Sequence, residues 1–239
     1  MTQTIKEVLP IDAYYSDEQV TIYHADCLDV MRGMEDGSVD AIVTDPPYGI
    51  GFVSAWRTRK EDRHKAVIND EAPYVEWIPD AFRVLKDGGA LACFYRWDVQ
   101  DQFVAAFKSA GFTVKSQVVW HKGGGGIGDL NAAFAPEHEL LLFVVKGQFS
   151  FAHGRPMSVV KVPRVRPENL THPCEKPTDL IGHLIRHISN VGSIVFDPFG
   201  GSGATGKAAK DNGRRAVLCD LDADYCAIAA GRLSQGVLM

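Results

Sequence analysis

Ser193-Ile194-Val195-Phe196-Asp197-Pro198-Phe199-Gly200-Gly201-Ser202-Gly203-Ala204-Thr205-Gly206 reads as an apolar strand, a glycine-rich turn and the opening of a helix. Gly201, Gly203 and Gly206 fit the spacing G-x-G-x-x-G, in which glycines allow a tight turn and bring backbone N–H groups close to a ligand at a helix N-terminus. Asp220 ends the next apolar run, 17 residues beyond Gly203, near the spacing at which an acid holds ribose hydroxyls. The combination predicts a nucleoside-cofactor site at a strand end of an α/β sheet. A dinucleotide would satisfy the pattern too, and so would glycines that serve packing alone.

Outward from this stretch, strand-like and helix-like runs alternate from residue 20 onward, the signature of a layered α/β sheet in a single domain spanning 1–239. Strands are predicted at Val39 to Thr44, Gly89 to Tyr95, Phe112 to Trp120, Leu140 to Val145, Ser193 to Phe196 and Ala216 to Cys219. Helices fit between them at Val75 to Leu85, Val99 to Ala110, Asp179 to Asn190, Ala204 to Asn212 and Ala223 to Leu233. Asp87-Gly88-Gly89 and Asn212-Gly213 stand where helix C-caps are expected. Gly51 to Asp70, His121 to Phe134 and Phe149 to His172 break the rhythm and read as long loops, of the kind that often carry binding.

Composition narrows the class. With 46% hydrophobic and 23% charged residues, no basic start before an apolar run and no stretch of 18 apolar residues, the chain is expected to be soluble and cytoplasmic. A formal net charge of −5 argues against a protein that coats nucleic acid through a general positive field, so a DNA surface would have to be a local patch. Cys27, Cys93, Cys174, Cys219 and Cys226 are odd in number and lack a C-x-x-C pair, which predicts reduced thiols and no metal centre.

Val39-Asp40-Ala41-Ile42-Val43-Thr44-Asp45-Pro46-Pro47-Tyr48-Gly49 runs an apolar strand into a carboxylate, two prolines and an aromatic ring. Two prolines fix φ twice and remove two backbone donors, which leaves a rigid corner made of acceptors. A bare strand-end turn would look the same. An amino group with two N–H donors fits such a corner, and a nucleobase amine is the case that needs it. Its lone pair is delocalised into the ring; acceptors at Asp45 and the Pro46 carbonyl would draw the nitrogen toward tetrahedral geometry and free the pair. Tyr48 would stack on the base, which must first leave its helix at a cost of a few kcal/mol.

His172-Pro173-Cys174-Glu175-Lys176-Pro177-Thr178 precedes a helix, and Lys176 with the helix start suits an anion or simply caps the helix. Pro173-Cys174 is not expected to be a covalent nucleophile, since the acceptor corner has no role in methylation at carbon and no group that would orient a thiolate can be named. Ile22 to Leu28 reads as a short strand ending in Asp26, a helix N-cap or a partner for a cofactor amine. The Asp197-Pro198-Phe199 lead-in, and the absence of a second nucleotide-binding half after the glycine turn, favour S-adenosylmethionine over a dinucleotide.

In this order the segments resemble the DNA amino-methyltransferases of the β arrangement, in which the catalytic motif precedes the cofactor motif, over residues 20 to 233. The resemblance implies a doubly wound, mostly parallel, Rossmann-like methyltransferase sheet with helices on both faces. It implies that Asp45, Pro46, Pro47 and Tyr48 are catalytic and that Asp26 and Cys27 contact the adenine of S-adenosylmethionine. Lys176 and Thr178 would hold its methionine part, Asp197, Pro198, Phe199, Gly201, Ser202 and Gly203 would form the glycine loop, and Asp220 would bind ribose. The family more often has Glu at that last position, and Asp222 stands beside it here. Arg57, Arg59, Lys60 and Arg63, with Arg155, Arg164 and Arg166, are the expected DNA contacts, in loops 51–70 and 149–172; a solvated segment would look alike. The recognition region is short, so either the target is simple, the 51–70 loop shares the reading or a second subunit contributes; a homodimer is expected. Asp at the first catalytic position resembles adenine-N6 enzymes acting on double-stranded DNA, with cytosine N4 the alternative.

Overall fold

Along β3 (Val39–Thr44) side chains enter both buried clusters, Ala41 and Val43 one, Val39 and Ile42 the other. A strand buried on both faces belongs in the interior of a sheet. The structure, a computed structural model, describes residues 11–49, 72–124, 131–151, 153–165 and 175–234. The other strands are β1 (Tyr15–Ser16), β2 (Val20–His24), β4 (Leu85–Tyr95), β5 (Thr113–His121), β6 (His138–Val145), β7 (Val159–Lys161), β8 (Ile194–Asp197) and β9 (Arg215–Asp220). The helices are α1 (Cys27–Gly33), α2 (Ile78–Val84), α3 (Gln100–Ala110), α4 (Thr178–Ile188), α5 (Ala204–Asp211) and α6 (Ala223–Ser234).

Among the described residues the strands form one sheet in the order β1-β2-β9-β8-β3-β4-β6-β5-β7. β2, β9, β8, β3 and β4 are parallel neighbours, whereas β1 and β6 run antiparallel to theirs. β8 leads on to β9 on one side, β3 to β4 on the other. The chain therefore reverses its winding between β8 and β3, and such a switch point opens a crevice at the carboxyl ends of the strands.

One face is covered by α4, α5 and α6, whose Leu180, Ile181, Leu184, Ile185, Ala208, Ala209, Ala229 and Leu233 are buried with Ala41, Val43 and Val195. In α4 these residues recur at the spacing of a single stripe, the pattern that docks a helix on a sheet. The opposite face takes α1, α2 and α3 through Val30, Met31, Ile78, Ala81, Val84, Phe103 and Phe107. Trp77 and Phe107 meet edge to face at 6.1 Å. Each large apolar side chain buried in this way contributes roughly 1.5–3 kcal/mol.

Two details differ from the sequence expectation. Asp87-Gly88-Gly89 does not cap α2, which ends at Val84 with Leu85 already extended. These residues lie inside β4, where the pairing jumps from Val39↔Leu85 to Ala41↔Ala90. Gly88, at φ +78°, makes the bulge possible, and Gly88 and Gly89 exchange backbone hydrogen bonds with Lys146. The expected loop 149–172 contains β7, a three-residue edge strand parallel to β5, with the Trp120 indole N–H donating to the Val162 carbonyl at 2.8 Å. Its brevity hid it, because one buried residue, Val160, leaves no period to read.

Among the described residues no helix is long and apolar enough to cross a membrane, and no group of three or more His, Cys, Asp or Glu is placed to hold a metal.

Candidate active site

Four parallel strands end in a row of carboxylates. Asp26 follows β2, Asp220 ends β9, Asp197 ends β8 and Asp45 follows β3. Pairing of His24 with Asp220, and the bond from Ala25 N–H to the Asp220 carbonyl at 3.1 Å, put the first two side by side.

The glycine turn is built as its sequence demands. Gly201 has φ +49° and Gly203 φ +80°, conformations open to glycine at little cost, and a Cβ on Gly203 would stand 2.9 Å from that of Ala229. Gly201 N–H donates to Asp220 Oδ2 at 2.8 Å and Asp222 N–H to Oδ1 at 2.9 Å. Each oxygen keeps a further lone pair with which to accept a hydroxyl. Burial pushes the Asp220 carboxyl up despite those two donors.

Asp197 has a different place from the one expected of it. It is 4% exposed, and its carboxylate turns inward. Oδ1 accepts from Thr44 Oγ1 at 2.9 Å and from Phe199 N–H at 3.1 Å, and Oδ2 accepts from Thr205 Oγ1 at 2.6 Å. The carboxylate thus ties the last residue of β3, the glycine turn and α5 together instead of presenting itself to a ligand. Burial pushes its carboxyl up to about 6, against the pull of those three donors.

At the proline corner, Pro46 is buried, Tyr48 bridges to Pro73, and Tyr74 N–H donates to the Pro47 carbonyl at 3.1 Å. The Asp45 carboxylate accepts from the Tyr48 hydroxyl on Oδ1 and from the Lys176 ammonium on Oδ2. Lys176, expected to meet a cofactor anion, instead lies between Asp45 and Glu139, whose Oε2 is 3.4 Å away. Thr178 Oγ1 accepts from Arg232 Nη2 at 3.0 Å, and Arg232 Nη1 donates to Glu175 Oε1 at 2.7 Å and reaches the Ser202 carbonyl at 3.5 Å. One guanidinium from α6 thereby joins the segment before α4 to the glycine turn.

Asp26 caps α1 by accepting from Leu28 N–H at 2.8 Å. The Cys27 thiol packs in the core and is pushed up to about 12, by burial first and by Asp26 second. Phe199 stands between Tyr74 and Trp77, with ring centroids at 5.9 and 5.6 Å. Burial first, with Cys27 and Asp26 adding to it, raises the Tyr74 phenol. Sequence reasoning did not single out Tyr74, Arg232 or Glu139; Pro73-Tyr74, a proline and an aromatic ahead of a helix, was the one local signal. Arg155 and Arg164 are exposed, and Arg164 N–H donates to the Lys122 carbonyl at 3.3 Å. Arg57, Arg59, Lys60, Arg63, Arg166, His172 and Cys174 lie outside the described residues.

Residues 39–231 match the family model described as DNA methylase, of the N6/N4 type. YhdJ of Escherichia coli (strain K12), a DNA adenine methyltransferase, is 28% identical over 262 residues, covering 92% of this chain and 84% of its own. Among solved structures, the M1.HpyAVI–SAM complex aligns with a TM-score of 0.69 at 24% identity, over 90% of this chain and 100% of that one. The PvuII DNA methyltransferase, cytosine-N4-specific, aligns with a TM-score of 0.76 at 16% identity, over 97% and 92%. Those two likenesses bear on the fold, which is a Rossmann-like methyltransferase sheet.

Proposed function

The chain belongs to the DNA methylase family of N6/N4 type, and from that premise we propose that it methylates the exocyclic N6 of adenine in double-stranded DNA. Bound S-adenosylmethionine supplies an electrophilic methyl group. The observation that carries the reading is the Thr44–Asp197 hydrogen bond, because it fastens the acceptor corner at Asp45 to the glycine turn. The donor set suits the cofactor: Asp220 has lone pairs left that would take ribose hydroxyls, Asp26 would take an adenine amine, and Phe199 and Tyr74 would supply apolar surface.

Asp45 and the Pro46 carbonyl accept the two N–H bonds of the target amine and free its lone pair. Among the described residues that carbonyl receives no other hydrogen bond, unlike that of Pro47. Tyr48, half-buried against both core clusters, holds Asp45 through its hydroxyl and offers its ring to the extruded base. Preorganised acceptors are worth more here than in water, since little has to reorient as charge develops.

Adenine is favoured over cytosine by Asp at the head of the catalytic tetrapeptide and by the likeness to YhdJ over 92% of the chain. Arg57, Arg59, Lys60 and Arg63, with Arg155, Arg164 and Arg166, supply the phosphate contacts, and a second copy of the chain completes target reading. Transfer of labelled methyl to unmethylated genomic DNA, followed by nucleoside mass spectrometry, tests the assignment. N6-methyladenine is expected; N4-methylcytosine would keep the mechanism and overturn the base, and unlabelled DNA would overturn both.

A further inference from the structure

Beside the acceptor corner lies a chain of alternating charges that the reading above does not use. Lys176 Nζ donates to Asp45, sits 3.4 Å from Glu139 Oε2 and lies 4.8 Å from the centre of the Phe94 ring. Lys122 Nζ donates to Glu139 Oε1 at 3.3 Å. The Lys176 and Lys122 side chains are 10% and 14% exposed. Gathering charges away from water carries a desolvation cost that an apolar replacement would avoid, so stability is a poor reason for such a chain. The fold explains how it assembles: β6 runs antiparallel to β4, so Glu139, near its start, arrives at the same edge as Asp45.

We propose that Glu139 is a positioning residue for methyl transfer, holding the Lys176 ammonium so that Lys176 anchors Asp45 through Oδ2, as Tyr48 does through Oδ1, without cancelling its negative charge. The inference rests on the methyl-transfer reading of Asp45. In the transfer the C–S bond breaks with its electron pair left on sulfur, while the amine lone pair forms the N–C bond. Positive charge therefore grows on the target nitrogen until that nitrogen releases one of its two protons, which passes to solvent. A lysine paired only with Asp45 opposes that growth; a second carboxylate on the same ammonium offsets it. Lys122 fixes the far oxygen of Glu139. Burial alone would raise the Glu139 carboxyl, but the two lysines override it and hold it below the ordinary range, so Glu139 stays an anion.

Steady-state methylation of DNA by the full chain, with calorimetric binding of S-adenosylmethionine alongside, tests the assignment. Glu139→Gln is expected to lower kcat roughly tenfold, with cofactor Kd and KM within about threefold of wild type. Glu139→Asp, which keeps the charge on a shorter arm, should fall between the two. In a Lys176→Met background, Glu139→Gln should cost less than about twofold further, because a residue acting through another has little effect once that other is gone. Equal losses in both backgrounds, or a raised cofactor KM at unchanged kcat, would overturn the inference. Should Glu139→Gln fail to fold, the aspartate variant decides: lower kcat at unchanged cofactor affinity supports the proposal, and unchanged kcat ends it. A wild type that transfers nothing to DNA would instead overturn the methyl-transfer reading itself, and the inference with it.

Discussion

Thr44 Oγ1 donates to Asp197 Oδ1 at 2.9 Å in the buried crevice between β3 and β8. Thr44 is the residue before the proline corner, and Asp197 opens the glycine turn. A shift in one strand is felt at the other, and the carboxylate that links them is itself buried at a cost. Because burial raises Asp197 from its ordinary 3.8 to about 6, the folded state binds this proton more tightly than the unfolded chain. The stability it brings is complete below about pH 4 and is lost as pH rises through about 6, to the extent of about 3 kcal/mol. Asp197→Asn removes the titration. In thermal melts, wild type should therefore gain on the variant as pH is lowered from about 6 to about 4; a constant gap would remove the buried-anion reading.

On the proposed reading, Asp45→Ala deletes the acceptor for the target amine while leaving the glycine turn and Asp220 in place. Transfer to DNA is expected to fall by roughly 10³-fold or more, the scale of losing a preorganised electrostatic partner. Cofactor affinity, read by calorimetry, should stay within about threefold. A variant that retains full turnover would sink the acceptor role.

Gly203→Ala forces an L side chain to φ +80° and sets a methyl group 2.9 Å from Ala229 Cβ. Strain and overpacking together should cost about 2–4 kcal/mol in urea unfolding. Cofactor affinity should fall in the folded fraction as well, because the same turn shapes the nucleoside site. Unchanged stability would mean that α6 moves aside freely.

Arg57, Arg59 and Lys60 follow the proline corner in the sequence. Neutralising all three should flatten the dependence of log Kd on log salt by roughly 2–3 units of slope, at about 0.9 per lost phosphate contact. Equal slopes for wild type and variant would assign DNA binding elsewhere, with Arg155 and Arg164 the next to replace.

The sequence by itself determined the parts whose causes are local. β3 was legible to the residue, because a mainly apolar run, interrupted by Asp40, ends just ahead of Asp45 and two prolines. The glycine turn was legible because positive φ at Gly201 and Gly203 leaves glycine little competition. Asp26, Asp45, Asp197 and Asp220 were all placed correctly at strand ends. What each carboxylate does there depends on which strands are neighbours, and only the tertiary structure decided that. Thr44 meets Asp197 across 153 positions and Lys176 meets Asp45 across 131. Residue patterns report the backbone period and little beyond one turn or one pleat, whereas these contacts follow from strand order. The physical reason is the same for Glu139: a carboxylate in an ordinary strand carries no mark of its role until β6 pairs with β4 and brings it to the edge where Asp45 stands.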